Sequence, residues 1–234
     1  MLSISIRPFI LLLIFSSFMH ACISDEEVSP EISLNANQHL SRPVLVNPEN
    51  RNNPYDSIGI CHNLYLERYW EIFPDKPSLS EIIDRVSFIT SYAHSASIST
   101  VSQQNFENIL NHPENAFENT LNRSLTSTEA KDSLWSFIHY IDSNQNTDFP
   151  ALYTAITHYE AYVNDNTSYT PEEKKTILSL TSFIRHGIYL KKRRDDKDWD
   201  ISIASRTGIL QGTAISPHEA VYKALVLGIA NQNF

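Results

Sequence analysis

The sequence predicts an all-α fold in which about seven or eight helices form a single bundle over residues 53–234. Helix-start signals recur along this part of the chain, and apolar residues between them follow the spacing that places them on one face of a helix. The 234 residues include only 5 glycines. Because a glycine-rich barrel or a phosphate-binding α/β fold needs many tight turns, this scarcity favours helices.

Each helix-start signal places a capping side chain three residues before an acid. The cap can accept a hydrogen bond from an unpaired backbone N–H, and the acid can bond back or favour the positive end of the helix dipole. In three signals a proline occupies the first helical position, where its missing N–H has no partner to lose. The signals are Asn53 to Asp56, Ser78 to Glu81, Thr126 to Glu129, Thr170 to Glu173 and Ser216 to Glu219.

Apolar stripes at helical spacing follow several of these signals. They include Ile82, Val86 and Ile89; Leu134, Phe137, Ile138 and Ile141; and Ile177, Leu180, Ile184 and Ile188. Short polar connections, such as residues 143–147 and 164–169, favour antiparallel neighbouring helices. The sequence shows no evident repeat of a fixed period.

Residues 1–21 have the order of a secretory signal peptide, with an early positive charge, an apolar run from Phe9 to Phe15 and a less apolar end. The apolar run is too short to span a membrane. The residues before Cys22 resemble the lipobox of bacterial lipoproteins, with Ala21 as the small residue before the cysteine. The resemblance implies that Cys22 is acylated and anchors the protein to a membrane. An ordinary secretory signal cleaved nearby is the alternative.

A serine and three acids, Ser24, Asp25, Glu26 and Glu27, follow this cysteine. The run resembles the export signal that sends lipoproteins of Bacteroidota-type bacteria to the outer face of the outer membrane. It implies surface display, whereas the periplasmic face or secretion are the alternatives; the acids could also simply keep a tether hydrated. Residues 22–52 are acidic or polar without an apolar period, which predicts a flexible tether.

The net charge of -9 disfavours nucleic acid as a partner, because nucleic acids attract basic surfaces. The 2 cysteines, Cys22 and Cys61, do not provide the usual disulfide framework of secreted proteins. We therefore interpret Cys61 as a small apolar residue on a buried helix face. The partner could be a protein or a small molecule.

The sequence predicts neither a metal site nor a cofactor. Asp196, Asp198 and Asp200 alternate as at the start of a calcium loop, but the glycine and glutamate that should follow are absent. His218 lacks the second histidine that a zinc-binding helix would supply four residues later. The usual motifs of serine hydrolases and phosphate-binding loops are also absent.

Three small residues, Ala204, Gly208 and Gly212, recur every four positions and predict a smooth helix face for close packing. Gly59 also falls within a predicted helix. We expect the face at Gly59 to meet the face of these three residues.

The stretch from Asn53 to Trp70 contains the candidate catalytic residues Asp56, His62 and Asn63. Together with Gly59, their spacing predicts one side of a helix, where an acid, an imidazole and an amide could support acid–base chemistry. In the alternative interpretation, Asp56 caps the helix, while the other two bind backbone groups of a neighbouring segment.

Asn53 through Leu66 resembles the opening signature Asn-Pro-Tyr-Asp-x-x-Gly-x-x-His-Asn-x-x-Leu of a group of uncharacterised bacterial lipoproteins. A second signature of this group, rich in tryptophan and small residues, is similar to Trp199 through Gly212, although Ser205 stands where an acid is expected. The resemblance implies a helical domain on a lipid anchor and names no reaction.

The most direct interpretation is an envelope lipoprotein that acts as a binding or interaction module. One alternative is an envelope hydrolase that uses Asp56 and His62. The other is an immunity or inhibitor protein.

Overall fold

The computed structural model describes residues 47–91, 102–194 and 201–233, which belong to one compact unit. These residues form nine helices and no strands, so the predicted all-α class is confirmed, with one helix more than the upper expected number. The helices are α1 (Ser57–Ile72), α2 (Leu79–Ser91), α3 (Gln103–Asn111), α4 (Pro113–Ser124), α5 (Thr128–Ser143), α6 (Phe149–Asp165), α7 (Pro171–Arg194), α8 (Ile203–Thr213) and α9 (Pro217–Asn233).

Several predicted features lie outside these ranges. They are the signal peptide, Cys22, the export signal at residues 24–27, most of the tether, and the three alternating aspartates at residues 196–200. Of the helices in the described ranges, none combines the length and the apolar character that a membrane crossing needs.

Helix α7 lies at the centre of the bundle, in contact with α1, α6 and α8. Nearly every side chain from residue 176 to residue 190 is buried, because neighbouring helices surround α7. The sequence predicted a single apolar stripe along this helix. The buried polar residues between the stripe positions, Ser182, Arg185 and His186 among them, therefore need partners inside the protein.

Helices α8 and α9 form a closely packed antiparallel pair. A Cβ atom at Gly208 would lie 2.7 Å from the backbone nitrogen of Ala224, and one at Gly212 would lie 2.3 Å from the Cα atom of Ala220. Ala204 is also fully buried on α8. The small residues of α8 thus permit close contact with the next helix in the chain.

Gly59 packs elsewhere. A Cβ atom there would lie 2.5 Å from the ring Cδ2 of His186 and 2.6 Å from the backbone oxygen of Ser182, both on α7. The predicted contact between Gly59 and the small-residue face is therefore wrong. The turn after Thr213 folds α9 directly back onto α8, so the chain's own next helix covers that face.

Three of the five helix-start signals act as capping motifs. Ser78 and Glu81 bond reciprocally before α2, and Thr170 and Glu173 do the same before α7. The hydroxyl of Ser216 accepts a hydrogen bond from the backbone N–H of Glu219. The sequence predicted these three caps correctly, because capping bonds are local and do not depend on the tertiary fold.

The other two signals behave differently. Ser127, rather than Thr126, caps α5 by accepting a hydrogen bond from the backbone N–H of Ala130. Asp56 occupies the residue before α1, but its side chain makes no capping bond, so the interpretation of Asp56 as a cap is wrong. Its backbone is helical (φ -62°, ψ -29°) rather than extended as at a usual cap, and its carboxylate has partners on α7.

The folded part of the chain begins before residue 53. Pro48 and Asn50 are buried, although both belong to the flexible tether predicted for residues 22–52. The backbone oxygen of Pro48 accepts a hydrogen bond from Arg185, and the backbone N–H of Asn50 donates to Asp56. The predicted tether therefore extends too far, because Pro48 and Asn50 bind buried charged side chains, a role that an apolar period does not reveal.

Candidate functional site

The carboxylate of Asp56, the residue before α1, binds two side chains of α7. Its Oδ1 atom lies 2.6 Å from Nη2 of Arg185 and 3.1 Å from Nε2 of His186. The hydroxyl of Ser182 lies 3.2 Å from the same oxygen, and the backbone N–H of Asn50 donates to Oδ2 at 2.9 Å. Both carboxylate oxygens are therefore engaged by protein groups.

Arg185 joins this carboxylate to a second one. Its Nη2 atom donates to Oε1 of Glu160 on α6 at 3.1 Å, and the side chains of Arg185 and Glu160 are both 0% exposed. One guanidinium thus binds two acids and the backbone oxygen of Pro48. A cation bonded in this way offsets the cost of burying the carboxylates.

Glu160 is held by three further side chains. Asn50 Nδ2 donates to Oε2 at 2.6 Å, while Asn53 Nδ2 and the Thr181 hydroxyl donate to Oε1 at 2.8 Å and 2.9 Å. Asn53 also donates to the backbone oxygen of Leu178. The first asparagine of the sequence signature therefore fixes residues 50–53 to α6 and α7.

We call Asn50, Asn53, Asp56, Glu160, Arg185 and His186 the buried charge cluster. Burial alone would raise the pKa of Asp56. The hydrogen bond with His186 and the charges of His186 and Arg185 outweigh this effect and hold the pKa of Asp56 below its usual value. The cluster thus keeps Asp56 ionised. The carboxylate oxygens of the cluster already accept hydrogen bonds from protein groups. The cluster is therefore better suited to holding α1, α6 and α7 together than to binding a ligand.

His62 and Asn63 lie beside the buried charge cluster and not within it. The amide of Asn63 donates to the backbone oxygen of His186 at 2.7 Å. The ring of His62 packs edge-on against Phe183, with 4.7 Å between ring centroids, and its Nδ1 atom lies 3.3 Å from Oδ1 of Asn63. The structure therefore pairs Asp56 with His186, whereas the sequence suggested His62.

The environment of His62 disfavours its charged form. Burial and the charge of His186 lower the pKa of His62 to about 4, although the hydrogen bond with Asn63 acts in the opposite direction. His62 itself is buried, and with Ser205 it lines a small cavity of about 20 Å³. The ring is therefore neutral near pH 7 and faces the interior.

Cys61 is half-buried and packs against the hydrophobic core. Among the residues that the structure describes, no group of three or more histidine, cysteine, aspartate or glutamate side chains could hold a metal ion.

An open groove of about 320 Å³ lies between α3 and α4. Its lining is rich in side-chain amides, and its apolar members are few. The lining residues are Asn105, Asn108, Ile109, His112, Asn115, Ala116, Asn119, Thr120, Arg123 and Gln211. We call this surface the amide groove.

The two helices of the amide groove carry the same short sequence. Residues 106–111 are Phe-Glu-Asn-Ile-Leu-Asn, and residues 117–122 are Phe-Glu-Asn-Thr-Leu-Asn. Phe106 and Phe117 are buried, whereas Asn108 and Asn119 are exposed and line the groove. This repeat covers only six residues in each of two short helices, so it gives no fixed period along the chain.

Comparison of the chain with protein-family models, with curated proteins and with solved structures gives no match.

Proposed function

We propose that the protein is a lipid-anchored binding module of the bacterial envelope and that the amide groove is its binding surface. The observation that carries the proposal is the groove itself, an exposed concavity of about 320 Å³ whose lining includes five side-chain amides, groups that both donate and accept hydrogen bonds. This volume lies at the lower end of the range for small-molecule sites, which is about 300–1,000 Å³.

The contacts of Asp56 and His62 favour a binding module over a hydrolase. A hydrolase that used Asp56 and His62 would need both groups to reach one substrate. Asp56 instead binds Arg185 and His186, and His62 packs against Phe183. The polar residues of the opening signature thus fix the scaffold, and the groove on α3 and α4 remains open to a ligand.

The anchor is part of the proposal. The signal-like residues 1–21, the cysteine at position 22 and the acidic run that follows it support acylation and display on the outer face of the outer membrane. Cys22→Ala should move the protein from the membrane fraction to the soluble fraction and abolish incorporation of labelled palmitate. Unchanged fractionation of this variant would contradict the anchor.

Surface display has its own test. Protease added to intact cells should remove the domain, while a periplasmic control protein should survive. Protection of the domain in cells with an intact outer membrane, followed by cleavage after permeabilisation, would place it on the periplasmic face.

The binding surface can be tested by saturation-transfer NMR on the full lipoprotein in detergent, with a panel of saccharides, dipeptides and nucleosides. At least one class should receive saturation from the wild type. The signal should disappear in the double variant Asn108→Ala, Asn119→Ala.

The matched control is the double variant Asn111→Ala, Asn122→Ala. These two asparagines belong to the same repeated sequence and are exposed, but they do not line the amide groove. The control should retain the wild-type signal. Equal signals from both double variants, or no signal from any class, would contradict a binding role for the groove.

A further inference from the structure

The repeated sequence places one equivalent amide on each wall of the amide groove. Asn108 is the third residue of the repeat on α3, and Asn119 is the third residue on α4. The buried phenylalanine two residues earlier in each repeat orients its helix in the same way, with Phe106 0% and Phe117 3% exposed. The groove therefore presents the same hydrogen-bonding group twice.

Asparagine is a costly choice for these positions. Its side chain competes with the backbone for hydrogen bonds, which makes it a poor helix former compared with alanine, lysine or glutamate. The two short helices contain six asparagines, and four of them line the groove: Asn105, Asn108, Asn115 and Asn119. Departures from local preference that converge on one surface mark a function rather than a structural need.

The chemistry of an amide indicates the ligand. A side-chain amide has a carbonyl oxygen that accepts and an NH₂ group that donates, so it can bind two adjacent hydroxyl groups at once. The lining contains no acidic residue, and Arg123 is its one residue with a permanent charge. A neutral ligand with many hydroxyl groups can bond to these amides, while Arg123 is exposed to water and donates to the backbone oxygen of Asn119, so its charge needs no acid from the ligand.

A peptide ligand fits the groove less well. Proteins that bind extended peptides add them to a sheet edge, and those that bind helices provide an apolar groove. The described residues contain no strand, and Ile109 and Ala116 are the apolar residues of the lining. The groove therefore matches neither of these two kinds of peptide site.

From these observations we propose that the amide groove binds a neutral oligosaccharide, with successive sugar units contacting Asn108 and Asn119. The inference rests on the proposed binding function of the groove and adds the class of ligand. A ligand of repeating units would give each of the two equivalent amides the same kind of hydroxyl pair.

The test is isothermal titration of the full lipoprotein in detergent with neutral oligosaccharides of one to four units, chosen from those that bind on a glycan array. Affinity should increase from one unit to two, because the second unit reaches the second amide. Asn119→Ala should weaken binding about tenfold, the scale for loss of a hydrogen-bond partner in a binding site. Asn122→Ala, on the same helix but outside the groove, should leave affinity within about twofold of the wild type.

Three results would overturn the proposal in different ways. Groove-dependent binding of dipeptides without any binding of saccharides would refute the ligand class and preserve the binding function. If the protein prefers acidic saccharides and Arg123→Gln abolishes this preference, the proposal that the ligand is neutral is refuted. Equal loss of saccharide affinity in Asn119→Ala and Asn122→Ala, with circular dichroism unchanged, would place the saccharide site outside the groove.

Discussion

Arg185 and Asp56 form a buried ion pair in which Nη2 lies 2.6 Å from Oδ1. The same Arg185 nitrogen lies 3.1 Å from Oε1 of Glu160. A single side chain of α7 thus connects α6, the residue before α1 and, through the backbone oxygen of Pro48, the folded segment that precedes α1. The stability of the bundle should depend strongly on this one cation.

Arg185→Met should lower the free energy of unfolding by about 3–5 kcal/mol, because methionine fills part of the volume but leaves two acids buried without their cation. Urea unfolding followed by circular dichroism measures the loss. The control is Arg193→Met, since Arg193 is 45% exposed and pairs with Glu67 on the surface. That change should cost less than about 1 kcal/mol. Similar losses in both variants would contradict the central role of Arg185.

Gly59→Ala should destabilise the protein even though alanine is the better helix former. The new Cβ atom would lie 2.5 Å from the ring of His186 and 2.6 Å from the backbone oxygen of Ser182, so α1 and α7 would have to move apart. We expect a loss of about 1–3 kcal/mol, the usual cost of overpacking, measured as a lower Tm and a lower urea midpoint.

Gly228→Ala is the matched control for this substitution. Gly228 also lies inside a helix, and the nearest atom to its added Cβ would be Ser205 Cβ at 3.5 Å, an ordinary contact. Alanine there should stabilise the protein by up to about 1 kcal/mol through helix propensity. A stabilising effect of alanine at both glycines would show that α1 can shift without cost.

The local features of the fold could be predicted from the sequence, while the tertiary partners could not. Ser78 and Thr170 were identified as caps because their bonds reach only three residues along the chain. Asn53 and Asp56 have the same pattern. Asn53 Oδ1 does accept a local bond from the backbone N–H of Tyr55, but Asn53 Nδ2 and the Asp56 carboxylate also bind Glu160 and Arg185, more than 100 positions away. A single sequence does not show which distant charge will compete for a capping side chain.

The candidate site followed the same division. Asp56, Gly59, His62 and Asn63 all contact α7, in agreement with their expected position on one side of a helix. Arg185 and Glu160 were not predicted as site residues, because each lies among apolar residues of its own helix and its partners lie on other parts of the chain. The sequence signal that could have identified Arg185 is a charged residue surrounded by apolar residues within one long helix.

The stability of the protein should fall as the pH decreases from about 6.5 to 4, and His62 should cause part of that fall. Its pKa is lowered to about 4 in the folded protein, against 6.5 for an unperturbed histidine. The unfolded chain therefore binds a proton in this range that the folded chain does not bind, which favours unfolding. The contribution of His62 should be roughly 3 kcal/mol over the whole range.

Urea unfolding of the wild type and of His62→Gln at several pH values measures this contribution. Glutamine can still bond to Asn63 but does not titrate, so its free energy of unfolding should vary less between pH 6.5 and 4. His139→Gln is the control, because His139 is exposed and stacks on Trp135. If the free energy of unfolding of His62→Gln changes with pH as steeply as that of the wild type, another group causes the acid sensitivity.

Glu173 joins the starts of two helices. Its Oε2 atom accepts hydrogen bonds from Thr170 in the capping motif of α7, while Oε1 accepts from the backbone N–H groups of Thr126 and Ser127, which precede α5. Burial alone would raise the pKa of Glu173. The hydrogen bonds from Ser127, Thr170 and Thr126 outweigh burial and lower the pKa to about 2.

Glu173→Gln should therefore cost about 2 kcal/mol near pH 7, since it weakens the caps of two helices at once. Because the folded pKa lies below the unfolded value of 4.5, this stabilisation is present above pH 4.5 and is lost as the pH falls towards 2. The difference in unfolding free energy between wild type and variant should shrink over that range. Glu172→Gln, at the exposed neighbouring position, should have an effect below about 1 kcal/mol, because it removes only a charge near the helix dipole. An equal effect at the two positions would show that the dipole, and not the shared cap, accounts for the stabilisation.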